Sequence, residues 1–166
     1  MAKIITFSRT FPAYHPKAGQ PTDFVHKIWK SIPVDQIQLV PYAEAYFKTF
    51  PWDPIQVERF SKMLPKHHTI RAGHRWEAGE VFSPRVWSGK PYNSPMITIA
   101  PDIKIEKVWN VEVDEDGCFW VYCNREGEDI LDEVAQNDGL SRKDLLEWFD
   151  KPFAGQIICW NKNISY

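Results

Sequence analysis

The sequence predicts an α+β domain in which a small β-barrel of five to seven mostly antiparallel strands has helices packed over its ends. Three observations lead to this prediction. The chain has 166 residues, which is the size of one domain with a substantial core. Its second half is dominated by short apolar and aromatic runs that are separated by turn residues. Only a few segments carry helical signals, which favours a small barrel over a helical fold.

The first elements are read from local signals. Residues 3–8 alternate weakly between polar and apolar and predict a strand. A loop rich in proline and glycine follows, and Thr22 is the predicted N-cap of a helix over residues 23–31. Residues 36–42 are a possible second strand.

A further helix is predicted over residues 53–64, where Ile55, Phe60 and Met63 recur near helical spacing. Pro65 ends it, because proline cannot continue the backbone hydrogen bonding of a helix.

The remaining elements are mostly strands. The predicted strands cover residues 80–87, 96–99, 103–113, 118–123 and 155–160. Residues 114–117, Asp-Glu-Asp-Gly, form a strong hairpin signal between two of them. Helices are predicted over residues 128–136 and 141–149, and Ser141 caps the second with Asp144 at its third helical position.

The composition is that of a globular protein, with 43% hydrophobic and 25% charged residues. No run approaches the roughly 20 apolar residues of a membrane span, and the first residues lack a signal-peptide core, so we expect a cytoplasmic location and no membrane partner. An odd set of cysteines without a CxxC pair fits a reducing compartment. The residues expected as buried thiols or core tryptophans are Cys118, Cys123, Cys159, Trp109, Trp120 and Trp148.

Charge is distributed unevenly. Residues 62–90 contain six bases and two acids, a net charge of +4, whereas residues 102–150 contain five bases and fifteen acids, a net charge of −10. The isoelectric point near 6.2 does not fit a protein that follows a long phosphate backbone. A local anionic or nucleoside ligand fits better, and two solvated faces are an equally simple interpretation.

The segment Lys66-His67-His68-Thr69-Ile70-Arg71 places an amine, a hydroxyl and a guanidinium at the predicted junction of helix and strand. Such a group can perform chemistry or hold an anion. Residues three apart in a regular strand point to opposite faces, so Lys66 and Thr69 converge only if the chain bends between them. The alternative is an exposed lysine after a helix and an ordinary strand threonine.

A family resemblance adds to this interpretation. With Ile5-Thr6-Phe7, Lys66-x-x-Thr69-Ile70-Arg71 and Asn137-Asp138-Gly139-Leu140-Ser141, the chain resembles an ASCH domain of the PUA-like barrel superfamily. The resemblance implies a single domain over residues 1–166 with an insertion at about 11–56. The glycine usual two places before the lysine is Leu64 here.

The resemblance implies binding of RNA or a modified nucleoside, and some bacterial members resemble amidohydrolases that act on acetylated cytidine. Lys66, Thr69 and Asp138 then match the catalytic set, with aspartate where those enzymes carry glutamate. A threonine hydroxyl needs a base, and a lysine serves only if its pKa falls from about 10.4 towards neutrality. A carboxylate close to the amine opposes that fall. A non-catalytic RNA-binding or protein-interaction module, the latter using the acidic segment 126–150, remains the alternative.

Five further residues are candidates for ligand binding. Arg71, Arg75 and Arg85 offer guanidinium groups, while Trp87 and Tyr92 offer aromatic planes on which a base stacks. Such stacking is worth about 1–3 kcal/mol per base. Trp87 fits the core equally well from its position in the strand.

No cofactor and no metal are predicted. His67, His68 and His74 lie close together in sequence, but adjacent strand positions point to opposite faces and no cysteine completes a zinc set.

Overall fold

The computed structural model describes residues 1–53 and 57–166, and within these ranges it is an α+β structure, as predicted. Its strands form two sheets of four strands each. The strands are β1 (Lys3–Thr6), β2 (His68–Ala72), β3 (Val81–Trp87), β4 (Met96–Thr98), β5 (Ile103–Lys104), β6 (Lys107–Val113), β7 (Phe119–Tyr122) and β8 (Phe153–Cys159). The helices are α1 (Phe24–Ser31), α2 (Gln36–Thr49), α3 (Val57–Lys62), α4 (Leu131–Asn137) and α5 (Arg142–Trp148).

Sheet 1 is built around β3. Strand β1 runs parallel to β3, with Thr6 opposite Arg85. Strands β4 and β5 both pair antiparallel with β3, and Thr98 is opposite the same Arg85. A strand residue has only two lateral neighbours, so β1 lies on one side of β3 while β4 and β5 share the other.

Sheet 2 has the order β2-β8-β6-β7 and is antiparallel throughout. Strand β8, one of the two inner strands, is buried on both faces from Gly155 to Cys159. Ile157 packs with α4 and α5 in one hydrophobic cluster, whereas the next residue, Ile158, packs with sheet 1 and α1 in another. The continuous apolar run at the end of β8 follows from this double burial.

The two sheets meet at one corner through the main chain. The Ile105 amide donates to the Glu80 carbonyl of sheet 1, and the Glu106 amide donates to the Cys159 carbonyl of sheet 2, each at 2.8 Å. The predicted single strand over residues 103–113 is therefore two strands. The strand pairings among the described residues do not close into a barrel. The described strands number eight, one more than the upper limit of the prediction.

Residues 36–42 are not a strand, and that prediction is wrong. They begin the fourteen-residue helix α2, whose N-cap Asp35 accepts a hydrogen bond from the Ile37 amide. Leu39, Tyr46 and Phe47 pack against the cluster of sheet 1 at helical spacing. Burial of this face against the first cluster stabilises the helix, which contains Pro41 in its interior.

The other helix predictions hold with shifted ends. The N-cap of α1 is Asp23, one residue after the predicted Thr22, although the Thr22 hydroxyl does accept a hydrogen bond from the Phe24 amide. Ser141 caps α5 by accepting from the Asp144 amide. The helix predicted over residues 53–64 corresponds to α3, and its residues 54–56 lie outside the described ranges.

Two side chains expected in the interior lie outside it. Cys118 is exposed and Trp120 is 54% exposed, because β7 is an edge strand with only one covered face. Cys123 is only partly buried, as are Trp109 and Trp148 against the second cluster, and Cys159 is fully buried. No helix among the described residues has both the length and the apolar character needed to cross a bilayer.

The pairing of β2 with β8 depends on the missing side chain of Gly155. A Cβ at this position would lie 2.2 Å from the Arg71 carbonyl oxygen, which is backbone and cannot move aside. We expect Gly155→Ala to lower the free energy of unfolding by about 2–3 kcal/mol through overpacking. Urea denaturation measures this. Gly89→Ala is the control, because its Cβ meets only the Ser94 side chain at 3.4 Å or more, and an equal loss in both variants would contradict the explanation.

Candidate functional site

Lys66 and Asp138 form a buried ion pair. Lys66 is 1% exposed, and its Nζ lies 2.9 Å from the Asp138 Oδ1 and donates to the Asp138 carbonyl at 2.6 Å. The amine also lies 4.1 Å from the centre of the Phe24 ring. Main-chain bonds fix its position, because the Lys66 amide donates to the Lys27 carbonyl of α1 and the next amide donates to Asn137 of α4.

The same carboxylate contacts His68, which the sequence did not single out for this role. His68 Nδ1 is 3.3 Å from the Asp138 Oδ1, and its Nε2 is 2.9 Å from the Tyr166 hydroxyl. The side-chain amide of Asn137 donates a hydrogen bond to the Tyr166 hydroxyl. The proton of that hydroxyl is then donated to His68 Nε2. His68 is then a neutral imidazole that donates from Nδ1, and this chain of four side chains is fully hydrogen-bonded.

Burial and charge act against each other in this pair. Burial lowers the pKa of Lys66 to about 8, while the adjacent Asp138 opposes that fall. Burial raises the pKa of Asp138, but Lys66 and His68 outweigh it and hold that pKa below its ordinary value. At neutral pH the lysine therefore carries its proton and donates to a carboxylate. In this state it is not a base.

Thr69 lies on the other side of sheet 2. Thr69 and its partner Ile158 face the first cluster, whereas Ile70 faces the second with α4 and α5. Lys66 is connected through Asp138 to His68, which shares the face of Ile70. Among the described residues the Thr69 hydroxyl has no hydrogen bond to the Lys66 amine, so the structure brings together two of the three predicted catalytic residues.

Arg71 is a half-buried cation whose Nε is not used in a hydrogen bond among the described residues. Its Nη2 donates to the Thr6 carbonyl at 2.5 Å, and its guanidinium carbon lies 5.4 Å from the Phe7 ring centre. Its Nε is buried and has no hydrogen-bond partner among the described residues. Burial lowers the pKa of Arg71 to about 10, so the group stays protonated at neutral pH. This contact also joins β1 of sheet 1 to β2 of sheet 2.

Of the other predicted ligand residues, Arg85 and Trp87 lie on β3, which pairs with β1 and its Thr6 carbonyl. Arg85 is the register partner of Thr6 and donates from Nε to Ser83. Trp87 and Tyr92 have ring centres 5.3 Å apart, and Tyr92 is 89% exposed. The charge of Arg75 lowers the pKa of Arg71, after the larger effects of burial and Asp138. We call this group the Arg71 site, and its members are Thr6, Arg71, Arg75, Arg85, Trp87 and Tyr92.

The larger clefts lie elsewhere. Among the described residues, Lys66, Thr69 and Arg71 line none of the four main cavities. A cleft of about 810 Å³ lies next to Lys66, but Gly139 separates the two, since a Cβ on Gly139 would be 3.4 Å from the Lys66 Cβ. The Lys66 amine is therefore closed off from this cleft.

His15, Asp144 and Glu147 bring potential metal ligands within 4.8 Å of one another. The lone pairs of His15 are already used. Its Nε2 is 3.2 Å from the Asp144 carbonyl, which can only accept, and its Nδ1 accepts from the Lys17 amide. The Lys17 ammonium occupies the Asp144 carboxylate at 2.7 Å. These contacts explain the cluster as a structural network.

Comparison with protein-family models, with curated proteins and with solved structures finds no match to this chain. The function of the Arg71 site and of the Lys66–Asp138 pair is therefore inferred from the chemistry of these residues.

The ion pair should be most costly to break from one side. Lys66→Met leaves the Asp138 carboxylate buried without its partner, and we expect the free energy of unfolding to fall by about 3–5 kcal/mol. The double variant Lys66→Met, Asp138→Asn removes both charges and should recover part of this loss. Urea denaturation of the three proteins provides the test, and a double variant less stable than the single one would exclude the pairing as the cause.

The free energy of unfolding of the same proteins should depend on pH. Lys66 has a pKa of about 8 when folded against 10.5 for the ordinary side chain, so between these values the unfolded chain binds more protons. The contribution of Lys66 to the free energy of unfolding then rises with pH across this window. The difference in stability between the native protein and the double variant should therefore rise from pH 8 to pH 10.5. A difference that stays level would show that Lys66 keeps its ordinary pKa.

Proposed function

We propose that the chain binds a short single-stranded RNA element, or a modified nucleoside within one, at the Arg71 site. The carrying observation is the half-buried side chain of Arg71, which donates one hydrogen bond and has a buried Nε without a partner among the described residues. A buried donor without an acceptor costs about 1–3 kcal/mol. A phosphate or base carbonyl oxygen would supply the acceptor, and guanidinium geometry suits both.

The aromatic residues of the site supply the second half of such recognition. Tyr92 offers an exposed ring next to the half-buried Trp87, and the backbone of Tyr92 holds a left-handed φ of 65°. Bases of single-stranded RNA stack on such rings regardless of sequence. With a net charge of −2 for the whole chain, only a local cluster of arginines is available for phosphates, which favours a short RNA element.

Membership of the ASCH family and a PUA-like barrel are part of this proposal. The two sheets are joined by main-chain bonds at Ile105 and Glu106 and by the Arg71 contact to Thr6. An open barrel with a ligand at its unsealed side is compatible with these two connections. The Lys66-x-x-Thr69-x-Arg71 segment leads into and forms β2, the edge strand of sheet 2 that the Arg71 contact connects to β1.

We propose binding without amide hydrolysis. A threonine nucleophile needs a base within hydrogen-bonding reach, and Lys66 at neutral pH is a protonated partner of Asp138. The Thr69 hydroxyl extends from the opposite face of β2. Lys66 and Asp138 act as structural residues in this proposal.

Stacking on Tyr92 can be measured directly. Fluorescence anisotropy with a labelled ten-nucleotide single-stranded RNA should show binding that Tyr92→Ala weakens by about tenfold, the loss of one stacked base. Trp52→Ala is the matched control, because Trp52 is also an exposed aromatic residue, at 75%, and lies outside the Arg71 site.

Arg85→Gln in the same titration should lower the dependence of log Kd on log salt concentration by about one. Equal affinity of the native protein and both variants would place any RNA binding elsewhere on the chain.

Acetylated cytidine separates binding from hydrolysis. We expect chromatography to show no release of cytidine after prolonged incubation at pH 7 and high protein concentration, because Lys66 holds its proton there. Release by the native protein that is lost in Lys66→Met would establish the hydrolase instead. Lys62→Met provides the control for an exposed lysine nearby.

A further inference from the structure

The free edge of β7 is a second feature of sheet 2. Strand β7 ends the order β2-β8-β6-β7 and pairs only with β6 among the described residues. Backbone N–H and C=O groups on its outer edge therefore face no strand. Such an edge is a template for an additional strand unless it is blocked. Residues 119–122 of β7 contain no proline and no lysine, two of the devices that usually block an edge.

A groove of about 910 Å³ runs along this edge. One wall is the continuous stretch from residue 117 to 124, and the other is formed by the segment 125–131 with Arg142 and Leu146. The apolar side chains that line it include Phe119, Val121, Cys123, Ile130, Leu131 and Leu146, and Trp120 and Tyr122 of β7 also border it. An added strand would point every second side chain into this groove.

The opposite face of β7 is aromatic and acidic. Trp120 and Tyr122 are both more than half exposed and lie between Phe119, Val121 and Cys123 in the strand alternation. The Trp120 Nε1 donates to Asp114 at 2.7 Å, and the Tyr122 hydroxyl donates to Glu112 at 2.8 Å. Each ring is thus held next to a carboxylate, which is the setting that favours a cation stacked on the ring.

We propose that the β7 edge binds an extended peptide segment in which apolar residues alternate with lysine or arginine. The apolar side chains enter the groove, and the basic ones stack on Trp120 and Tyr122 near Glu112 and Asp114. Exposed Glu126, Glu128 and Asp129 line the groove together with Arg125 and Arg142. Arg125 pairs with Glu128 at 2.9 Å and Arg142 with Asp129 at 2.8 Å, so these five side chains leave a net charge of 2 − 3 = −1. The surrounding segment 102–150 carries fifteen acids against five bases.

A second copy of this chain fits the edge less well. Antiparallel pairing of two β7 edges would bring the same acidic residues of both copies together, and like charges on adjacent strands destabilise the pairing. A basic peptide meets attraction at the same positions. The proposal does not depend on the Arg71 site, which lies at the β2 edge of the sheet.

The test uses the full chain and a labelled eight-residue peptide of alternating valine and lysine. Fluorescence anisotropy should give saturable binding, and the matched peptide of valine and glutamate should bind at least tenfold more weakly. Two further peptides carry N-methyl groups on alternate amides in either register. Only one register faces the edge, so one methylated peptide should lose binding and the other should retain it.

Protein variants locate the site. Trp120→Ala and Glu112→Gln should each weaken the valine–lysine peptide about fivefold or more, and Glu44→Gln on α2 should leave it unchanged. The RNA of the earlier titration should not displace the peptide. Equal binding of both charge types, equal effects of the two methylation registers, or no effect of the β7 variants would overturn the proposal. A dimer in sedimentation equilibrium that Trp120→Ala dissociates would assign the edge to a second copy.

Discussion

The buried contact between the Lys66 ammonium and the Asp138 carboxylate fixes where sheet 2 begins. It ties the residue before β2 to the C-terminal end of α4, and main-chain bonds to Lys27 and Asn137 hold the same segment. A charge in this position is tolerated only with its partner, because an unpaired ion in the interior is far more costly than the pair. The position of β2, and with it the position of Arg71, therefore depends on this contact.

Elements whose signals are local could be predicted from the sequence. Ser141 is followed by Asp144 and caps α5, and the hairpin of β6 and β7 follows from the turn at residues 114–117. The break between β5 and β6 could not be predicted. It depends on Glu80 and Cys159, which lie in different sheets and distant parts of the sequence. Helix α2 was missed for a related reason, since its buried face is defined by tertiary contacts that the local sequence does not show.

Part of the candidate site could likewise be predicted from the sequence, and part could not. The resemblance indicated Lys66 and Asp138, and strand alternation stated the condition under which Thr69 would join them. The partners of His68 were beyond prediction, because Tyr166 lies 98 residues further along the chain. That the Arg71 Nε has no hydrogen-bond partner among the described residues could not be predicted either. Whether a half-buried arginine pairs with a carboxylate depends on all its neighbours, and a chain with 22 acids gives no reason to expect that Arg71 has no such ion pair among the described residues.

The uneven charge of the sequence becomes interpretable on the folded sheet. Arg71 and Arg75 of the basic segment lie on or next to the β2 edge, and the acidic segment supplies the β7 edge. Three strand spacings, or about 14 Å, separate these edges. The Debye length at physiological salt is about 8 Å, so each edge acts on its own ligand with little effect from the other. The anionic ligand proposed for the Arg71 site and the basic peptide proposed for the β7 edge would then bind the same sheet independently, although the net charge of the chain is only −2.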